Sequence, residues 1–322
     1  MAEKILEVKD LKTYFFTRRG VVKAVDGVSF WVGKGETLGL VGESGSGKSM
    51  TCLSILRLVP QPAGRIVNGQ IIMAGEDLLL KSEREIRQIR GKRISMILQD
   101  PMTSLNPVFT VGYQVGVPIK LHQRLNKKAV GEKVKEMLRK VRIPSPEVRM
   151  GEYPHQMSGG MRQRIVGAMA LSCQPELLIA DEPTTALDVT IQAQFLRLLK
   201  EIQQASKISM IVVTHDFGIV AKVCDRVAVM YAGKVVECAS VRNLFSTPSH
   251  PYTVALLDSL PKMDKKVRKL YTIEGQPPDL ANLPAGCNFV SRCSQAMEIC
   301  RKESPEESVV GDGHTVSCWL VN

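Results

Sequence analysis

Two glycine-bearing segments and one acidic pair carry the chemistry legible in this chain. Residues Gly42 to Ser49 read Gly-Glu-Ser-Gly-Ser-Gly-Lys-Ser, which fits the pattern G-x-x-x-x-G-K-S/T. Such a loop wraps phosphates in backbone N–H groups, while its lysine and hydroxyl address the terminal phosphate and magnesium. More than a hundred residues later, Ser158-Gly159-Gly160 stands shortly before the apolar run Leu177 to Ala180, which ends in Asp181-Glu182. Together these predict a nucleoside triphosphate site. Context strengthens the first match: Thr37 to Val41 is patterned as a short buried strand, and Met50 to Leu58 as the helix that must follow it.

Positioning these residues calls for a sheet. Strand-like runs recur at Thr37 to Val41, Ile94 to Leu98, Leu177 to Asp181, Met210 to Thr214 and Val227 to Tyr231, several alternating with helical patterns. That alternation predicts a parallel sheet covered by helices. Ahead of it, Ile5 to Val8 and Val21 to Val32 suggest antiparallel strands broken at Arg18-Arg19-Gly20. Between Asp100 and about Val166 the pattern changes to turns and amphipathic helix, with Val130, Val134, Met137, Leu138 and Val141 on one face. An inserted helical subdomain is expected there.

Composition bounds the class. The chain has 322 residues, 44 % of them apolar, enough for a substantial core and two domains. Met1-Ala2-Glu3-Lys4 leads directly into strand-like sequence, without the apolar region of a signal peptide. The longest uncharged stretch, Met102 to Ile119, holds Pro107, Pro118, Asn106, Gln114, Gly112 and Gly116, so a loop-rich surface segment is expected rather than a membrane span. The formal charge is +11, from 43 basic and 32 acidic residues. Its basic residues are spread over Lys81 to Arg93, Lys120 to Arg149 and Lys262 to Lys269, without the aromatic interleaving of a nucleic-acid stacking platform. Solvated charge is therefore expected, and residence near an anionic membrane face is compatible with it.

The order of these motifs resembles the ATP-binding subunits of ABC transporters over roughly residues 1 to 240. The resemblance implies an α/β fold: a P-loop NTPase core of the ABC ATPase type, with an antiparallel β subdomain, an inserted helical subdomain at about 100–166, and a small Cys-rich C-terminal domain over 241–322. It also implies ATPase activity with ATP and magnesium as cofactors. Nucleotide contacts would come from Gly42, Ser44, Gly45, Ser46, Gly47, Lys48, Ser49 and Met50, and from Tyr14 stacking on adenine, with Phe15 or Phe16 as substitutes. Ser49, Gln99 and Asp181 would address magnesium. Glu182 would polarise the attacking water, and His215 would hold the γ-phosphate. A histidine at a strand end is usually only a polar loop residue, so the case for His215 rests on its order after Glu182.

The segment Met157-Ser158-Gly159-Gly160-Met161 departs from the usual Leu-Ser-Gly-Gly-Gln of the family at its first and fifth places. Ser158 can cap the helix running to about Leu171, and the glycines leave N–H groups at its positive end open to an anion. In the family that anion is the γ-phosphate on the opposite subunit, with Ala186-Leu187-Asp188 at the seam. Met161 points to a second, related but different ATPase subunit.

The tail narrows the resemblance. Asn243 to Thr253 with Leu256-Leu257, and Gln99 to Pro107, resemble importers of dipeptides and oligopeptides, nearest to the first ATPase subunit of dipeptide systems. This implies two transmembrane permease subunits, an extracytoplasmic peptide-binding protein, location at the cytoplasmic face of the membrane, and no nucleic-acid partner. A nickel or other small-solute importer, or a soluble ABC ATPase acting on nucleic acid or ribosomes, are the alternatives. Cys287, Cys293, Cys300 and Cys318 crowd the tail at spacings of five, six and seventeen intervening residues. These lack the paired C-x-x-C knuckles common for zinc, and four thiolates also suit an iron–sulfur cluster, so zinc, iron–sulfur and no metal all remain open on the residues. The resemblance implies a 4Fe–4S cluster, with His314 as a substitute ligand. Cys52, Cys173, Cys224 and Cys238 sit in apolar surroundings suited to small core residues.

Overall fold

The computed structural model describes residues 3–100, 104–184, 188–260 and 272–321. Along the chain run β1 (Lys4–Thr17), β2 (Gly20–Gly33), β3 (Thr37–Val41), α1 (Lys48–Ile55), β4 (Gly64–Met73), β5 (Glu76–Asp77) and β6 (Ile94–Ile97). Then come α2 (Val111–Gln123), α3 (Lys127–Lys140), α4 (Gly159–Leu171), β7 (Leu177–Asp181), α5 (Val189–Ser206), β8 (Ser209–Thr214) and α6 (Phe217–Val223). β9 (Arg226–Tyr231), β10 (Lys234–Ser240), α7 (Pro251–Asp258), β11 (Ser308–Gly311) and β12 (His314–Val316) complete the elements used below. The residues divide into two compact units, one of 1–6, 32–37 and 73–213, the other of 7–31, 38–72 and 214–322.

In the first unit β6, β7 and β8 pair in parallel, Ile94 opposite Leu177 and Leu177 opposite Ser209. Every residue of β7 and β8 is buried. Parallel strands covered on both faces must be apolar throughout, which is why these runs do not alternate. Helix α4 packs on α2 and α3, and α3 buries Val134, Met137 and Leu138, the face its spacing predicts.

The stretch expected to be loop-rich from Met102 to Ile119 differs from that expectation. From Val111 it is helix α2, capped by Thr110 and buried at Val111, Gly112, Gln114, Val115, Gly116 and Ile119. Proline and glycine were read as breakers, but here the glycines permit close packing. A Cβ on Gly112 would stand 2.7 Å from the Met150 carbonyl oxygen, and one on Gly116 would meet Val130 at 3.2 Å. Gln114 then fastens the preceding turn, donating to the carbonyls of Asn106 and Phe109 at 3.0 and 2.9 Å and accepting the Asn106 N–H at 2.8 Å. A buried amide so satisfied contributes about 1 kcal/mol per bond, whereas left unpaired it would cost more than that. Residues 101–103 lie outside the described residues. Among those that are described, no helix is long and apolar enough to cross a membrane.

In the second unit β2, β1 and β4 lie side by side in one sheet. Beside it β3 pairs in parallel with β9, Leu38 opposite Arg226, and β9 pairs antiparallel with β10. The tail adds β12 antiparallel to β10, Glu237 opposite Val316, and β11 antiparallel to β12. These last two strands were not anticipated. Their runs of four and three residues, Ser308 to Gly311 and His314 to Val316, are too short to show a period.

Candidate functional site

The turn after β3 is built for close approach. Gly42 has φ 153° and Gly47 φ 102°, and a Cβ at either would lie 2.1 Å from the Met230 carbonyl oxygen or 2.4 Å from that of Ala24. Only glycine tolerates both the backbone angle and the contact. Gly47 caps α1 without a side-chain hydrogen bond, so no capping side chain stands between the helix start and an anion. Lys48, buried, folds over the loop and donates from Nζ to the carbonyls of Gly42 and Glu43 at 2.8 Å each and to Ser46 Oγ at 3.3 Å. Ser44 and Gly45 are exposed at the loop tip, and Ser49 and Met50 are half-buried in the first turn of α1. The loop's geometry is that of a phosphate cradle.

Tyr14, on β1, lies in the same unit. Its hydroxyl donates to Asp26 Oδ1 at 2.5 Å, and Lys23 Nζ sits 5.9 Å from its ring centroid. Burial, then the Asp26 carboxylate, push its phenol well above the ordinary range. Phe16, 46 % exposed, has the Arg65 guanidinium 5.6 Å from its ring. His215 directly follows β8 and is exposed.

The acidic pair belongs to the first unit. Asp181 ends β7 and is buried. Glu182 adopts φ 42°, an uncommon angle for this residue type, and its N–H donates to the Val213 carbonyl at 3.0 Å. Gln99 Nε2 donates to Glu182 Oε2 at 2.9 Å. The structure thus joins two residues that the sequence separates by 83 positions. Ser158 caps α4 as expected, Oγ accepting the Met161 N–H at 3.3 Å. Ser158 and Gly159 are exposed, and Gly160 is half-buried, where a Cβ would strike Ile191 Cγ2 at 2.7 Å. Asp188 caps α5 through Ile191; Ala186 and Leu187 lie outside the described residues.

Sequence reasoning missed Gln163. From α4 its Nε2 donates to the Pro183 carbonyl at 2.5 Å, fully buried, so the glycine-tipped helix is tied to the turn that carries Glu182. A glutamine inside an otherwise apolar helix face was the available signal.

Cys287, Cys293, Cys300 and Cys318 line one cavity, together with His250, Phe289 and Trp319. Burial pushes the Cys287 thiol up to about 11, and its neighbours Cys300, Cys318 and Cys293 add to this against a backbone N–H from Phe289. Burial also raises Cys293 and Cys318. Among the described residues no three His, Cys, Asp or Glu side chains converge on a single ion. His314 lies away from that lining: its Nε2 pairs with buried Glu237 Oε1 at 2.8 Å. Cys52, Cys224 and Cys238 are buried and Cys173 half-buried, as expected of packing residues.

The mixed sheets and the phosphate loop define a P-loop ATPase of the ABC type. Comparison with known proteins agrees: the ABC transporter model matches residues 25–185, and the oligopeptide/dipeptide transporter C-terminal region matches 236–300. The chain belongs to the ABC transporter family, as an ATP-binding and ATP-hydrolysing subunit of its oligopeptide/dipeptide transporter branch. It is 52 % identical to the dipeptide transport ATP-binding protein DppD of Bacillus subtilis, over 99 % of this chain and 95 % of that protein. It is 51 % identical to the oligopeptide transport ATP-binding protein OppD of the same organism, over 99 % and 89 %. Among solved structures, the dimeric MJ0796, a bacterial ABC transporter cassette, matches with a TM-score of 0.66 at 25 % identity, covering 74 % of this chain and 99 % of that one.

Proposed function

We propose that the chain is the motor of a membrane importer of dipeptides or oligopeptides, coupling ATP-driven closure of two ATPase subunits to movement of peptide through two permease subunits. The observation that carries the cargo class is the transporter-specific region at 236–300 following an ABC core. The relatives' names, dipeptide and oligopeptide transport, support it. The ATPase domain spans 1–240 and the tail 241–322, and the helices within about 100–166 form the subdomain that responds to the permease. An extracytoplasmic binding protein delivers the peptide. The chain works at the cytoplasmic face of the membrane.

Chemistry follows from the loop and the acidic pair. Lys48, with Gly42 and the loop from Ser44 to Met50, holds the β- and γ-phosphates; Ser49, Gln99 and Asp181 address magnesium. Tyr14 stacks on adenine. Glu182, oriented by Gln99, polarises water for in-line attack on the γ-phosphorus, and His215 holds the phosphoryl oxygen as the bond to the β-phosphate breaks. The exposed tip Ser158-Gly159-Gly160 completes the site on a second, related subunit, with Asp188 at the seam. Its exposure supports that reading, since a helix start used only for packing would be covered.

We further infer a 4Fe–4S cluster on Cys287, Cys293, Cys300 and Cys318. Four thiols line one largely apolar cavity, and four thiolates are the usual ligand set of such a cluster. When bound, such a centre links distant points of the tail, so its binding free energy adds to folding.

The test is capture of the chain from solubilised membranes followed by reconstitution. Co-purified permease subunits and ATP-dependent uptake of labelled dipeptide are expected. Uptake of nickel but not peptide, or recovery with ribosomes, would overturn the cargo or the class.

A further inference from the structure

An acidic side chain inside a phosphate loop needs an explanation, and the tail supplies one. Glu43 occupies the second place of the loop, where its carboxylate would repel a bound triphosphate. In the structure that carboxylate is held by Arg292, Nη1 to Oε2 at 2.6 Å and Nη2 to Oε1 at 3.0 Å. The Arg292 side chain is 3 % exposed and that of Glu43 29 %. Arg292 is itself fixed: it donates to the Glu274 carbonyl at 3.1 Å and to the Tyr231 hydroxyl at 3.3 Å. Two more ties bind the same regions. The Glu43 N–H donates to the Tyr252 hydroxyl at 2.9 Å. Asn288 Nδ2 donates to the Ala232 carbonyl at 2.9 Å, next to Gly233, whose N–H donates to the Ser46 carbonyl at 3.0 Å.

We propose that Arg292 is a positioning residue for nucleotide binding: it draws the Glu43 carboxylate away from the phosphate cradle and cancels its charge, so that the tail sets the affinity of the loop for ATP. This rests on the reading of Gly42–Ser49 as the phosphate loop. The physical case is one of sign and distance. A paired, forked guanidinium–carboxylate contact is directional and strong. Released, the Glu43 carboxylate would stand on the same loop as the bound phosphates, and like charges about 4 Å apart repel by kilocalories even at surface dielectric. Two side chains beyond residue 240, Arg292 and Tyr252, bond this loop directly, and Asn288 bonds Ala232 beside it, which a pendant serving only the cysteine site would not require.

The experiment measures Mg-ATP binding by the full-length chain with a fluorescent ATP analogue, and tail integrity by limited proteolysis. Arg292→Gln should raise the Kd about tenfold, as expected for an uncompensated charge at this range. Adding Glu43→Gln should return the Kd to within about twofold of the unsubstituted chain, because the repulsive group is then gone. The loss in the single variant should shrink as salt is raised from about 0.05 to about 0.5 M, since screening acts on charge and not on packing. Glu43→Gln alone, which leaves the guanidinium in place, should bind at least as tightly as the unsubstituted chain. It keeps the test decisive if Arg292→Gln fails to fold. An unchanged Kd in a protease-resistant Arg292→Gln chain, a salt-independent loss that the second substitution does not recover, or weakened binding in Glu43→Gln would each overturn the proposal. Failure of the unsubstituted chain to bind Mg-ATP would instead remove the loop assignment beneath it.

Discussion

Gln99 donates its side-chain amide to the Glu182 carboxylate at 2.9 Å, and Glu182 meets it from a left-handed backbone at φ 42°. A non-glycine residue held at such an angle costs on the order of 1–3 kcal/mol and persists only where its surroundings dictate it. The dictating contacts are the Glu182 N–H bond to Val213 and the buried Gln163 bond to Pro183. Since Gln99 is exposed, its bond to Glu182 contributes little to stability. Its effect is on direction: it fixes where the carboxylate points.

Replacing Glu182 by Gln should leave ATP binding intact and reduce hydrolysis by roughly 10²–10⁴-fold, the range for loss of a general base. The ATP-bound closed form should accumulate, visible as ATP retained by the complete complex through size-exclusion chromatography. Lys48→Ala should instead fail at the binding step. Full turnover by the Glu182 variant would remove that residue from the role.

Gln99→Ala should slow hydrolysis by about tenfold with little change in KM for ATP, because a residue acting through another alters kcat. Combined with Glu182→Gln its further cost should fall well below tenfold, leaving only its share in addressing magnesium. Additive losses in the pair would mean that Gln99 acts independently of the carboxylate.

The proposed 4Fe–4S cluster predicts a brown chain, and Cys293→Ser should abolish that colour and leave the tail open to protease, while the core still binds Mg-ATP, more weakly to the extent that the loosened tail releases Arg292 from Glu43. A colourless variant with an equally resistant tail would show that the centre does not support the fold.

His250 gives the tail an acid limit. Its Nδ1 accepts the Tyr252 N–H at 3.0 Å, capping α7, and burial pushes its pKa down to about 4 from the usual 6.5. A group whose folded pKa is depressed is neutral when folded while the unfolded chain takes up the proton. Its stabilisation is therefore full above about 6.5 and is lost as pH falls towards about 4. His250→Asn keeps a capping oxygen without a titrating ring, so the acid unfolding midpoint, read by near-ultraviolet dichroism, should move to lower pH. An unchanged midpoint would place the acid transition elsewhere.

What the sequence disclosed was local. The phosphate loop, the buried strands β3, β7 and β8, the capping by Ser158 and the amphipathic face of α3 each depend on residues close together in the chain. What it withheld was made by distance or by small residues. Glu43 and Arg292 are 249 positions apart, and nothing in either neighbourhood names the other. The role of Gln163 required the turn after β7 to be folded against α4. Helix α2 was read as loop because Gly112, Gly116 and Pro118 break isolated helices, whereas packing against Met150 and Val130 reverses the balance. In β11 and β12, Val309, Val310, Thr315 and Val316 suit extension, but runs of four and three residues are too short to read from sequence; β11 forms on β12, and β12 on the edge that β10 offers.

That last pairing makes the tail the guard of the molecule's flank. With Thr315 and Val316 set against Cys238 and Glu237, the outer rim of β10 is occupied. A chain cut short ahead of Ser308 would expose a row of unpaired amides and carbonyls beside the apolar β9. Bare rims of that kind recruit strands from neighbouring molecules. Shortened versions made to isolate the ATPase core should therefore self-associate, and restoring the last fifteen residues should return them to solution.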